Sequence, residues 1–226
     1  KIFSGSPRTV LKEVPKDRPL RAGNRGMTFI ELIVVIGIFA TISGVVLFNF
    51  TGFSTNISLQ NLANQIALQL KKAQTQALSG TGGSALFDTN KPSYGIAFDT
   101  TKPSEFDYFA DGANLYSQNG VNDDTLCNGL GECLDKITIQ TGDTISKLAV
   151  GDINTSSCQT ALTVTFRRPF PDANFYVTGV LDSTSPKVGI EITSPKGVQK
   201  TIIVWSTGQI EIKNSNISVD FPSCPQ

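Results

Sequence analysis

The chain has 226 residues, 39 % of them hydrophobic, and no formal net charge, which excludes a disordered polymer and allows one or two small folded domains. The charges are unevenly placed: residues 1–26 carry seven basic and two acidic residues, whereas residues 80–226 carry ten basic and sixteen acidic residues. The sequence contains no histidine, so Ser-His-Asp and Cys-His catalytic arrangements are excluded. We therefore expect a non-enzymatic protein without a cofactor.

The most apolar part of the chain is residues 27–50, and no residue between Leu32 and Leu70 is charged. As a helix, residues 27–50 would be about 36 Å long, enough to cross a hydrocarbon core of about 30 Å. A buried helix of a soluble domain is the alternative, but such helices usually have a polar face and this segment has none. A basic segment precedes the span and an acidic one follows it. This predicts one crossing with the N-terminus in the cytoplasm and the body outside.

A secretory signal peptide also combines a basic start with an apolar segment. Its apolar region is shorter, about 7 to 15 residues, and it ends in a small-residue cleavage site. The sequence "FNFTGFSTN" at the end of the span does not have that form. We therefore predict that the span is retained.

One carboxylate, Glu31, lies just inside the apolar segment, where an unpaired acid costs about 2.5 to 3.5 kcal/mol at the centre of a membrane helix. The surrounding stretch "RGMTFIELIVVIGIF", residues 25–39, resembles the class III signal of type IV prepilins and type II secretion pseudopilins. That resemblance implies cleavage between Gly26 and Met27 by a prepilin peptidase, removal of residues 1–26 and N-methylation of Met27. Glu31 would then be the fifth residue of the mature chain.

Physical chemistry gives Glu31 a role in this scheme. Cleavage frees the α-amino group of Met27, and the carboxylate can neutralise that charge in its own chain or in a neighbouring subunit. We therefore interpret Glu31 as a residue for filament assembly. The alternative is an interfacial glutamate whose head group only reaches towards water.

The helical pattern continues through residues 51–79 in amphipathic form. Apolar residues recur at spacings of three and four, while glutamine, asparagine and lysine occupy the other faces. The apolar positions are Leu59, Leu62, Ala63, Ile66, Ala67, Leu70, Ala73 and Ala77. The pattern stops near Ser79, at "SGTGGS". We predict that this half of the helix docks on the following domain.

Residues 80–226 show the alternation of short antiparallel strands. The predicted strands are "SALFD", "YGIAFD", "DYFAD", "KITIQT", "ALTVTF", "NFYVTGV", "VGIEIT", "KTIIVW" and "IEIK", the last two joined by a tight hairpin at "STGQ", residues 206–209. The expected class is α+β: a long N-terminal helix packed on an antiparallel β domain, as in pilins. The segments "LTVTFRRPFPD" and "KTIIVWSTGQIEIK" resemble GspH/FimT-like minor pseudopilins.

All four cysteines lie in the β-rich body, as expected of an exported fold. Cys127 and Cys133 are separated by five residues and can form one disulfide, in which case Cys158 could form the other with Cys224. Four cysteines permit three pairings, and local closure favours this one. A metal site is the alternative, but the C-x5-C spacing without a second close pair or a histidine is poor for zinc. We predict disulfides and no metal.

Two further binding functions can be weighed on the sequence. The acidic and amide-rich loop "DGANLYSQNGVNDD", residues 111–124, departs from the EF-hand ligand order, which favours a solvated loop over a calcium site. Nucleic acid binding would need basic side chains, and Arg167 and Arg168 are the only adjacent basic pair of an acidic body. This pair is the candidate phosphate contact, but nucleic acid is not the expected partner.

The sequence therefore predicts a minor pilin or pseudopilin, a structural subunit of a type IV pilus or type II secretion filament. The resemblance implies three kinds of partner: other pilin or pseudopilin subunits, a prepilin peptidase and an assembly platform of the inner membrane. The expected location is the cytoplasmic (inner) membrane, followed by an extracytoplasmic filament. A DNA-binding minor pilin and a plain single-pass anchor for a β domain remain the alternatives.

Overall fold

The computed structural model describes residues 26–79, 92–112, 122, 127, 131–152 and 154–224, with residues 48–54 described by their backbone alone. The predicted leader up to residue 25, the strand "SALFD" and most of the loop 111–124 lie outside the described residues. The chain divides into two compact units, Lys1–Leu47 and Phe48–Gln226, and each is considered by itself.

Helix α1 spans Phe29–Ser79 and ends where the sequence predicts. In the first unit its side chains are exposed on nearly every side. In the second unit one stripe of the helix is buried, with each member at most 4 % exposed: Leu59, Leu62, Ala63, Ile66, Leu70, Ala73 and Ala77. The predicted amphipathic half is thus confirmed, although Ala67 is only half-buried.

The second unit contains eleven described strands in two antiparallel sheets. Sheet A has the order β3-β2-β1-β6-β7-β8, with the bounds β1 Ser93–Asp99, β2 Glu105–Asp111, β3 Cys133–Thr138, β6 Ala161–Phe166, β7 Ala173–Val177 and β8 Val180–Asp182. Sheet B has the order β11-β10-β9-β4-β5, with the bounds β4 Thr144–Gly151, β5 Ser157–Gln159, β9 Lys187–Thr193, β10 Gln199–Trp205 and β11 Ile210–Lys213. A short 3-10 helix, Ile217–Val219, follows.

One hydrophobic core joins these elements. The buried stripe of α1 packs with the inner face of sheet A, including Ile96, Phe98 and Val164, and with the inner face of sheet B, including Ile190 and Ile202. In strands such as β1, β6 and β10, alternate residues belong to this core, as the period of a strand requires. The α+β class is therefore confirmed.

Polar contacts fix the docked half of the helix at its two ends. Near its start, the Ser58 hydroxyl donates to the Asp143 carboxylate at 2.7 Å. Further along, the amide of Gln74 donates to the carbonyl oxygens of Pro171, at 2.8 Å, and Gly208, at 3.2 Å. Since Gly208 belongs to the β10–β11 hairpin, this amide ties the helix to sheet B.

A buried lysine adds a third anchor. Lys200 of β10 is 8 % exposed, and its ammonium donates to Oε1 of Gln60 on the helix at 2.7 Å and to Oδ1 of Asn214 after β11. A buried ammonium is tolerated only when acceptors replace its water, and these two amides do so. The contact links α1, β10 and the segment after β11.

The strand predictions differ from the structure in four places, of which the first is the three-residue strand β5, Ser157–Gln159, which was not predicted. Strand β4 was not predicted, because a bulge between Ile145 and Lys147 breaks its alternation. The segment "NFYVTGV" contains two strands, β7 and the start of β8, because Thr178 and Gly179 both adopt positive φ and form a two-residue hairpin turn. Strand β3 begins at Cys133 and ends at Thr138, so it starts and stops earlier than "KITIQT".

Candidate functional site

The start of helix α1 has a defined cap. Thr28 precedes the first helical residue, and its hydroxyl oxygen accepts a hydrogen bond from the backbone N–H of Glu31 at 3.3 Å. Its carbonyl oxygen accepts from the N–H of Leu32 at 3.1 Å. A threonine three residues before a glutamate is the capping-box pattern, which satisfies N–H groups that have no partner inside a helix.

Glu31 therefore lies in the first turn, where a carboxylate interacts favourably with the positive end of the helix dipole. Its side chain is exposed rather than buried within the unit. The charge is thus available to a group outside the helix as well as to the helix itself.

The peptide bond predicted for cleavage, between Gly26 and Met27, lies just before this cap. Apart from Gly26 and its two chain neighbours, no described residue has a heavy atom within 4 Å of the position that a Cβ at Gly26 would take. Met27 is 61 % exposed. A protease can therefore approach this bond without displacing any described part of the chain.

The helix segment Phe29–Leu47 has a mean hydropathy of 2.5, and none of it is buried within the structure. Large side chains point outward on all sides, as the exposed fractions of Phe29 (78 %), Phe39 (71 %) and Leu47 (71 %) illustrate. At about 1.5 Å per residue the segment is long enough to cross a membrane, and in the described part of the chain it is the only such helix. Its composition suits a membrane anchor or a signal sequence.

Two disulfides are present, and they join the cysteines as the sequence predicts. Cys127 is bonded to Cys133 at the start of β3, and Cys158 of β5 is bonded to Cys224 near the C-terminus. A carboxylate oxygen of Asp107 lies within 4.8 Å of the sulfur atoms of the first pair. Because these sulfurs are bonded to each other, they are not the free thiolates that bind zinc.

The two adjacent arginines follow directly after strand β6, and Arg167 is exposed whereas Arg168 is half-buried. Burial raises the pKa of Tyr94, which lies on the inner face, and Arg168 opposes that shift. Burial also raises the pKa of Tyr176, and there the opposing guanidinium is that of Arg167. Tyr176 forms a hydrogen bond with the side chain of Thr165, and both residues lie on the outer face of the sheet. The two guanidinium groups thus influence two different tyrosines, and their role as a phosphate contact stays a prediction.

An open cavity of about 270 Å³ lies on the outer face of sheet A. Its lining includes Lys102, Glu105, Asp107 and Asn122. Burial raises the pKa of Asp107, and Lys136, 4.0 Å from the carboxylate, opposes the shift. Nothing in the local sequence points to this carboxylate, because an acid in a strand gives no signal of its desolvation.

Comparison with known proteins identifies no relative: the chain matches no protein-family model, no curated protein and no solved structure. The features on which a functional assignment can rest are therefore those of the chain itself. They define a disulfide-bonded α+β domain that carries an apolar N-terminal helix with a capped start.

Proposed function

We propose that this chain is a minor pilin or pseudopilin, a structural subunit that is cleaved between Gly26 and Met27 and assembled through helix α1. The observation that carries the proposal is the coincidence of the class III signal with the start of the helix. The exposed bond after Gly26 precedes the cap at Thr28, and Glu31 lies in the first helical turn. After cleavage the whole cap would remain in the mature chain.

The electrostatics of the first turn support a neutralising role for Glu31. Cleavage would place an α-ammonium on Met27, close to the positive end of the helix dipole, where a cation is unfavourable. A carboxylate in the first turn offsets that charge, either within one chain or between neighbouring subunits. In lipid this compensation is worth more than in water, because neither charge can be solvated there.

The remaining features suit a subunit that works by assembly. The apolar segment Phe29–Leu47 would be held first in the inner membrane and then among the helices of neighbouring subunits. The disulfide-bonded domain would lie outside the cytoplasm, where disulfides persist. Prepilin peptidase and an inner-membrane assembly platform are the other partners that this proposal requires.

A variant of the acid tests the proposal. Glu31→Leu is expected to insert in the membrane as the unchanged protein does, but to be absent from sheared filament fractions, because the ammonium of Met27 loses its counter-charge. Ile33→Leu, in the same apolar segment, is the matched control and is expected to assemble normally. Unchanged incorporation of Glu31→Leu would refute the role given to the carboxylate.

A further inference from the structure

The segment after strand β11, residues 214–224, crosses the outer face of sheet B, and we call it the C-terminal strap. Two of its side chains, Ile217 and Phe221, pack with Ala149 of β4 and Ile203 of β10 in a second hydrophobic cluster. All four are fully buried. The strap therefore covers an apolar sheet face that would otherwise be exposed to solvent.

Hydrogen bonds hold the near end of the strap. The hydroxyl of Thr201 donates to the carbonyl oxygen of Ser215 at 2.8 Å, and the backbone N–H of Ile217 donates to Oε2 of Glu191 at 2.8 Å. The Glu191 carboxylate is fully buried, and its other oxygen accepts from Ser146 at 2.7 Å. The strap thus supplies one of the donors that this buried carboxylate needs.

The middle of the strap is seated by Phe221. Its ring lies against Gly189 of β9. A Cβ at this position would overlap the ring, so only glycine leaves enough space for it. The ammonium of Lys187 lies 5.1 Å from the centre of this ring and 5.3 Å from the Trp205 ring. Next to it, Asp220 accepts from Lys213 at 2.7 Å.

At the far end, Cys224 packs in the same hydrophobic cluster, and a hydrogen bond and a disulfide link this end to neighbouring elements. The backbone N–H of Ser223 donates to the hydroxyl oxygen of Ser156 at 3.0 Å, and Cys224 is bonded to Cys158. Cys224 is fully buried, whereas Cys158 is exposed. The disulfide therefore joins a buried residue of the strap to an exposed residue of the edge strand β5.

We propose that the Cys158–Cys224 disulfide is a redox latch that keeps the strap closed over sheet B. A thiolate of a dithiol reductant attacks the sulfur of Cys158, and Cys224 leaves as a thiolate that takes up a proton. The second thiolate of the reductant then displaces Cys158. The reductant ends as a disulfide, and both cysteines end as thiols.

Reduction opens the strap because it removes the covalent tie between its far end and strand β5. In the oxidised protein both ends of the strap are tied to the sheet, so the open state has little conformational entropy to gain. Without the bond, residues 217–224 gain that entropy on release. The covered face, with Ala149, Gly189 and Ile203, is then uncovered. The proposed latch does not depend on filament assembly, so it is tested independently of the proposed function.

The chain carries its own reporter, since Trp205 is the only tryptophan and belongs to the cluster beneath the strap. The full chain is purified in detergent and treated with dithiothreitol. We expect the Trp205 emission to shift to longer wavelength. Amide exchange of residues 217–224 is expected to rise at least tenfold, while exchange in β9 and β10 stays unchanged.

Paired cysteine variants separate this latch from the other disulfide. Cys158→Ser/Cys224→Ser is expected to reproduce the open strap without reductant. Cys127→Ser/Cys133→Ser, which leaves the latch intact, is the matched control and is expected to stay closed until dithiothreitol is added. Two results would overturn the latch: strap amides that stay protected in Cys158→Ser/Cys224→Ser, or amides of β9 and β10 that exchange together with those of the strap.

Discussion

The hydroxyl oxygen of Thr28 accepts a hydrogen bond from the backbone N–H of Glu31 at 3.3 Å, so these two residues form the N-terminal cap of helix α1. The same two residues therefore have a structural role before any processing occurs. Their separation of three residues is the spacing that a capping box requires. Processing after Gly26 would leave this cap intact.

Replacing the cap residue is expected to loosen the first turn. Thr28→Ala removes the acceptor for the Glu31 N–H, and loss of such a cap costs about 1 kcal/mol, or about fivefold in a local opening equilibrium. We expect the Glu31 amide to exchange about five times faster in detergent micelles, as measured by hydrogen exchange with NMR detection. Thr28→Ser keeps a hydroxyl and is expected to retain most of the protection. Equal exchange in all three proteins would contradict the cap.

Two leucines on opposite faces of helix α1 test how its second half is docked. Leu70 is fully buried, whereas Leu68 is 68 % exposed. Leu70→Ala is expected to lower the free energy of unfolding by about 2 to 5 kcal/mol, because it leaves a cavity between the helix and both sheets. Leu68→Ala is expected to change it by less than about 0.5 kcal/mol. Denaturant unfolding measures both, and similar losses would be incompatible with the docked stripe.

The buried lysine of β10 offers a test of the polar anchors. Lys200→Met removes the hydrogen bonds to Gln60 and Asn214 and leaves their amide oxygens without that donor, so we expect a loss of about 1 to 3 kcal/mol in the free energy of unfolding. Lys102→Met, at an exposed position, is the matched control and is expected to change little. If the two variants unfold at the same denaturant concentration, the Lys200 contacts do not anchor the helix.

Two aspartates are expected to make opposite contributions to the pH dependence of the free energy of unfolding. Burial raises the pKa of Asp107 above its usual value of 3.8, so the folded state holds a proton that the unfolded state has already released. The free energy of unfolding therefore falls as the pH rises through this window. Asp107→Asn is expected to be more stable than the unchanged protein at pH 7, with the gain shrinking towards pH 3.

Asp182 serves as the comparison. Burial alone would raise its pKa, but hydrogen bonds from Thr184 and Ser185 outweigh burial, so the pKa lies below 3.8. Its stabilising contribution is present above 3.8 and is lost as the pH falls through the folded-state value. Asp182→Asn is therefore expected to be less stable at pH 7. Thermal unfolding between pH 3 and 7 measures both variants, and changes of the same sign would contradict these assignments.

Sequence patterns predicted the structure correctly where apolar residues recur with one period along the whole element. The stripe from Leu59 to Ala77 has the period of a helix, and strands such as β9 and β10 alternate without interruption, so both were predicted correctly. The pattern failed where a single residue interrupts it. Strand β4 was not predicted because the bulge after Ile145 interrupts its alternation. The turn at Thr178 and Gly179 was not predicted either, so β7 and the start of β8 were predicted as one strand.

Contacts between distant residues left no local signal. Lys200 meets Gln60 across 140 positions, and the strap bonds Glu191, yet each of these residues has an ordinary sequence context. The disulfides were predicted because only four cysteines had to be paired.

The central claim is that Gly26–Met27 is a processing site, and the mass of the mature N-terminus tests it most directly. The protein is purified from the membranes of a host with a working prepilin peptidase, and its N-terminal peptide is analysed by mass spectrometry. The account predicts a chain that begins at Met27 with a methyl group on the α-amino nitrogen, and an intact leader when the peptidase is absent. A chain that still carries residues 1–26 in the presence of the peptidase would contradict it.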